Sequence, residues 1–274
     1  MRINPIFRFC TTLAFLGGAW LITRSSSADD QVDFKSEIIP VLTKLGCNAG
    51  SCHGSAAGRG GFKLSLYGSQ PDEDYRAIVR ESKGRRINRK DHPKSLLLRK
   101  PGGEMDHGGN QRFDIDDPAG RILSKWIQQG ANLTDATQLT DFSVGDSTVE
   151  LEKPGVEHSF QFRATFNNRP QRDVTHWTVL TSNDESSVLI NSSSNRVEIL
   201  RPGRHILMAR FMDQVAPIEI LVPYHEHGQS VAVKYPGNMV DDFVSEKLDQ
   251  LNIPVGEQAG DAAFLRRVYL DLTG

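Results

Sequence analysis

The sequence predicts a multidomain chain in which an α-helical domain precedes an all-β sandwich and a truncated helical segment comes last. Three observations carry this. Through residues 32–129, apolar residues recur at helical spacing between glycine-rich loops. Residues 159–222 alternate apolar and polar side chains, with turn residues between the runs. Residues 241–274 return to helical spacing. The boundaries read as a signal peptide at 1–28, a helical domain at 29–133, a linker at 134–157, the sandwich at 158–225 and the start of a truncated helical unit at 226–274. A chain of 274 residues has room for two domains of ordinary size.

The leader comes first. Arg2 and Arg8 precede an apolar run over residues 9–22, and Ser26, Ser27 and Ala28 offer a small-residue cleavage site. The run is shorter than the ~20 residues a membrane-spanning helix needs. It therefore reads as an export signal, with an uncleaved anchor as the alternative, and no later stretch is apolar enough to cross a bilayer. Hydrophobic residues at 38% and charged residues at 24% exclude collagen-like or wholesale disordered chains. A net charge of −2 lacks the basic field of a nucleic-acid-binding protein. The local cations Lys83, Arg85, Arg86, Arg89 and Lys90 read as a solvated loop or helix end.

In the helical domain, Phe34, Ile38, Ile39, Leu42 and Leu45 share one helical face, Pro40 is discordant, and Gly46 ends the helix. Residues 47–61 are dense in Gly, Ala and Ser and form a loop, and residues 62–67 alternate and read as extended. Residues 71–80 predict a short helix with acidic residues in its first turn. A short apolar turn at 95–99 and a glycine-rich loop at 102–110 follow. Pro118 opens a helix whose apolar face holds Ile122, Leu123, Trp126 and Ile127, and Gly130 caps it. After the polar linker, strands are expected at 159–166, 177–180, 187–190, 197–200, 206–211 and 218–222. Two last helices carry Phe243, Leu248 and Leu251, then Phe264, Leu265, Val268 and Tyr269. Two helices do not enclose a core of their own, which marks that unit as incomplete.

The chemistry lies in the loop. Of three cysteines, Cys10 falls in the leader, leaving Cys47 and Cys52, the second followed at once by His53. Cys-x-x-Cys-His attaches a c-type haem, two thiols meeting two vinyl groups and the imidazole ligating the iron. Here four residues intervene, and the small Ala49, Gly50 and Ser51 let the loop bulge. Zinc needs further Cys or His ligands that are not spaced nearby. A disulfide across so short a loop stabilises little and leaves His53 unexplained. Spacing favours haem and leaves those two readings open. For the second axial position the candidates are His92, Met105 and His107. Gly108 and Gly109 would let backbone approach a flat macrocycle beside His107.

The stretch from 32 to 131 resembles the planctomycete cytochrome c-type domain. The resemblance rests on Gly46-Cys47-Asn48 with Cys52-His53-Gly54, then Gly61-Phe62-Lys63-Leu64-Ser65-Leu66 and Gly68. It extends to Ser95-Leu96-Leu97-Leu98, Lys100-Pro101, His107-Gly108-Gly109, Arg112-Phe113, and Trp126-Ile127 before Gly130-Ala131. It implies a cytochrome c-like fold and one covalent haem c on Cys47, Cys52 and His53, with His107 as the second iron ligand and Met105 as the alternative. Residues 161–223 resemble a bacterial Ig-like domain of group 2, through Ala164-Thr165-Phe166, Arg172-Asp173-Val174-Thr175 and Leu200-Arg201-Pro202-Gly203. The run Phe264-Leu265-Arg266-Arg267-Val268-Tyr269-Leu270-Asp271-Leu272-Thr273-Gly274 resembles the opening of a helical domain of unknown function that follows such modules.

These resemblances imply an exported c-type haem protein, periplasmic or on the cell surface, that serves electron transfer or redox sensing with a redox partner protein and without nucleic acid. The alternative is an adhesion or polymer-handling protein that contacts a cell surface or polysaccharide through the Ig-like module. No catalytic constellation marks an enzyme. The haem reading makes a geometric demand. Cys47, Cys52 and His53 must face one cavity, Met105 or His107 must reach it from the opposite side, and Leu64, Leu66, Leu97, Leu98, Ile122 and Trp126 are the expected apolar lining.

Overall fold

A computed structural model describes residues 31–134, 137–225 and 237–274. The expected signal peptide and Cys10 lie outside these residues. The chain enters the described part through a helical turn, Phe34–Ile38, that runs straight into α1 (Ile39–Lys44). Asp33 caps it: its carboxylate accepts from the amide of Ser36 at 2.8 Å and from the Ser36 hydroxyl at 2.7 Å. The first turn is wide, with the Ile39 amide bonding back five residues to the Phe34 carbonyl. That change of register lets Pro40, which has no N–H, sit inside a continuous helix. Gly46, at φ +72°, ends α1: its amide bonds to Thr43 O and that of Cys47 to Leu42 O.

α2 (Pro71–Val79), α3 (Leu96–Arg99) and α4 (Pro118–Gln128) follow, joined by long turns. α4 ends as α1 does, with Gly130 at φ +102° and the Ala131 amide on Trp126 O. These helices close on Phe34, Ile38, Leu98, Leu123, Trp126 and Ile127. The buried polar tips in this core are matched. Trp126 donates to Asn132 O at 3.0 Å, and Tyr75 donates to Ala131 O at 2.9 Å.

The remainder is β-rich. One sheet pairs β1 (Leu139–Val144), β4 (Phe162–Phe166) and β5 (Arg172–Asp173). A second has the order β2 (Thr148–Glu150), β10 (Gln214–Val222), β9 (Gly203–Phe211) and β6 (Val179–Ser182). A third joins β3 (Glu157–Ser159), β8 (Arg196–Ile199) and β7 (Val188–Asn191). Pairing is antiparallel except for β2 on β10. The β9–β10 hairpin turns at Met212 and Asp213. Phe142, Phe162, Phe211, Ile199 and Leu207 fill this core. α5 (Met239–Gln250) is capped by Asn238, and α6 (Asp261–Thr273) comes last.

This corrects the expected fold class. The described residues do not show an α-helical cytochrome c-like domain. Residues 32–133 hold only small helices, α4 being the longest at 11 residues, on a chain whose extended architecture is the three sheets between residues 139 and 222. The physical reason is the density of breakers: Gly46, Gly58, Gly60, Gly61 and Gly68 all take positive φ, so no α-helix propagates between residues 45 and 70, where only a 3-10 turn forms at Leu66–Gly68. The stretch read as a linker contains β1, β2 and the first residue of β3, because Phe142 and Val149 each supply one buried anchor to an otherwise polar run.

The multidomain expectation changes too, since Val32–Gly274 is one compact unit. Trp177 packs against both hydrophobic clusters. Glu37 takes Arg169 and Arg172 at 3.3 Å each. The Lys44 ammonium donates to Thr178 O at 2.7 Å and to Asn195 Oδ1 at 2.6 Å.

Burial lowers Lys44 from its ordinary 10.5 to about 8. Between those values the unfolded chain holds the proton and the folded chain does not, so this residue makes stability rise with pH across the window. Chemical denaturation of wild type and Lys44→Met from pH 7.5 to 10.5 is expected to show the difference moving in favour of wild type as pH rises. A difference that is flat, or that moves the other way, contradicts the assignment.

Candidate cofactor site

The end of α1 places the site. Having closed on Leu42, the backbone at Cys47 winds on tightly: Cys52 N–H bonds Ala49 O at 2.9 Å, and His53 N–H bonds Cys47 O at 3.0 Å. Four intervening residues are therefore coiled rather than extended, and Cys47 and His53 lie side by side. Gly54 permits this, because a Cβ there would lie 2.0 Å from Asn48 O. Both cysteines are free, so the disulfide reading does not describe this structure. Cys52 is buried, and Arg112 Nη2 reaches its Sγ at 3.4 Å.

His53 is held from behind. Its Nδ1 lies 3.0 Å from Phe62 O, which also accepts from the Arg59 amide at 2.9 Å. A carbonyl only accepts, so Nδ1 carries the hydrogen and a neutral ring keeps its lone pair on Nε2. Burial lowers the His53 pKa, the Phe62 carbonyl opposes this, and the charges of His107 and Arg59 add to the lowering. His107 is built alike, with Nδ1 2.9 Å from Asn110 O. The two ring centres stand 6.2 Å apart with planes at 23°. Anchoring one imidazole nitrogen on a carbonyl to present the other is how metal-ligating histidines are oriented.

Cys47, Cys52, His53 and His107 all line one cavity of about 420 Å³. Its apolar wall includes Leu42, Phe62, Leu64, Leu97, Phe113 and Leu123. Arg59, Arg85, Arg86, Lys100 and Arg112 supply its charge, and no carboxylate is among the lining residues. Of the expected lining, Leu64 and Leu97 are in place. Leu66 is 47% exposed, whereas Leu98, Ile122 and Trp126 belong to the core behind the wall. Met105 is half-buried and, like His92, does not line the cavity.

Sequence reasoning missed the carbonyls of Phe62 and Asn110. The tight turn at Gly60 and Gly61 was the only local sign of the first. It also misplaced Arg86, which is buried rather than solvated. Its guanidinium donates to Ala77 O at 2.8 Å and Gly61 O at 3.2 Å, and lies 4.3 Å over the Phe62 ring.

Among the described residues, no group of three or more His, Cys, Asp or Glu is arranged to hold a metal ion. A zinc site made by the protein alone therefore has no ligand set there. A macrocycle that brings four nitrogens of its own asks only for axial ligands, and the His53 and His107 pair fits that demand. No protein-family model matches the chain, and no curated protein matches it.

Loss of hydration pushes the Cys47 thiol up to about 12 from an ordinary 9.0, against the pull of Arg112. At pH 8 that leaves about a thousandfold fewer thiolates than an ordinary cysteine. Iodoacetamide labelling of the haem-free chain, followed by peptide mass spectrometry, is expected to modify Cys47 far more slowly than the unfolded chain. Equal rates refute the placement.

Proposed function

We propose that this chain is an exported c-type haem protein that works in electron transfer or redox sensing with a redox partner protein. The observation that carries the reading is the convergence of two free thiols and two carbonyl-anchored imidazoles on one cavity. The two ring centres stand 6.2 Å apart on the lining of that cavity. Cys47 and Cys52 would hold the haem through thioethers, with His53 and His107 as the iron ligands offered by the chain. When bound, the haem supplies a one-electron iron couple.

The chain's own residues set its conditions. Phe62 O and Asn110 O keep each ring in the tautomer that ligates. The leucine and phenylalanine wall excludes water, and two imidazoles favour a lower potential than an imidazole with a thioether. Met105, off the cavity wall, is the weaker candidate.

Full-length protein made with a haem-attachment system is expected to give a thioether-type pyridine haemochrome and to carry the mass of one haem after denaturation. The Cys47→Ser/Cys52→Ser variant is expected to lose that mass. Colourless protein with a Cys47–Cys52 disulfide refutes the proposal. Loss of the His107 imidazole in His107→Ala is expected to turn a low-spin, six-coordinate spectrum high-spin and open the iron to added ligands. An unchanged spectrum removes His107 from the ligand set.

A further inference from the structure

We infer that the cations at the mouth of this cavity, Arg59, Arg85, Lys100 and Arg112, form a carboxylate-binding rim, so that the ligand it takes is an amphipathic dianion with its acidic edge at the opening. The identity of that ligand as a porphyrin rests on the haem reading; the rim itself rests on charge and geometry. Arg59, Arg85 and Arg112 are exposed, and Lys100 is half-buried. None of the four meets a carboxylate at ion-pair distance among the described residues. Elsewhere such pairing is common: Lys35 with Asp72, Arg99 with Glu104 and Arg201 with Asp184. The chain has 34 acidic residues against 32 Lys and Arg, so the lack of acid here is local. Like charges gathered around a low-dielectric wall repel one another, and a bound anion removes that cost.

Two guanidiniums lie between the cysteine loop and the His107 loop. Arg59 Nη1 reaches Ser51 O at 3.5 Å in the cysteine loop, and a Cβ on Gly108 would lie 3.6 Å from its Nη2. Arg112 touches Cys52 Sγ, and a Cβ on Gly109 would lie 3.5 Å from its Nη2. Each fork thus spans from the thiol side to the His107 side. Most of its five N–H donors remain for a carboxylate, which guanidinium binds in two parallel hydrogen bonds. In the same lining, Leu42, Leu64 and Leu123 are buried and suit an apolar edge.

The test uses the full chain made without haem and two metal-free probes, protoporphyrin IX and its dimethyl ester, followed by fluorescence. Neither probe depends on iron ligation. The diacid is expected to bind about tenfold or more tightly than the diester and to weaken with added salt, as charge-assisted contacts do. Arg59→Gln/Arg112→Gln is expected to remove that preference, leaving diester binding as it was, and Arg59→Lys/Arg112→Lys to keep most of it. Equal binding of the two probes, or binding of neither, overturns the rim whether or not the double variant folds. Either result leaves the haem reading to its own haemochrome test, and colourless protein there leaves the rim measured here.

Discussion

The carbonyl of Phe62 accepts from the Arg59 amide, which closes a tight turn, and from Nδ1 of His53. The first bond aims that carbonyl, and the second turns the imidazole so that its free nitrogen faces outward. Arg86 secures the arrangement from below, gripping Gly61 O and lying over the Phe62 ring. An unpaired buried cation costs several kcal/mol, while hydrogen bonds to a charged group contribute about 1.5–3 kcal/mol each. Bonds to Ala77 O and Gly61 O, with the aromatic face, offset that penalty. The charge therefore stays where it can stiffen the turn behind His53.

Rigidity in the cysteine loop comes from the same economy of backbone bonds. Gly46 ends α1 in a left-handed residue, and the amides that follow fold back onto it instead of reaching outward. Asn48 is buried within the loop and donates to Thr43 Oγ1 at 2.8 Å, while the Tyr67 amide donates to Asn48 O. The loop is thus tied to α1 on one side and to the 65–68 turn on the other. Leu64 N–H on His53 O carries the connection into the first core.

That core does not stand apart from the sheets. Lys44, one turn before the cysteine loop, is anchored on Thr178 and Asn195, and Glu37 is held by two arginines from the β4–β5 region. Asn195 is itself buried and donates to Thr178 O at 3.1 Å. The helix that positions Cys47 therefore has its outer face fixed by the β-rich part, and the small helices do without long helical packing of their own.

Local chemistry was legible from the sequence. Gly46 and Gly130 as helix stops, Pro118 as a first-turn residue, Trp126 as a core anchor and the Cys47, Cys52 and His53 constellation each depend on residues within a few positions of one another. Backbone sterics and adjacency decide such features. The fold class was not legible in the same way, because short helices and short strands of the length seen here draw their stability from packing rather than from their own periodicity. The β1 strand needed β4 beside it, and Arg86 needed the Phe62 ring and two distant carbonyls before it could be buried. His107 carried a glycine-flanked signature in the sequence. Its approach to within 6.2 Å of His53 across 54 residues was a matter for tertiary structure, since only the closed core brings two separate loops to one cavity.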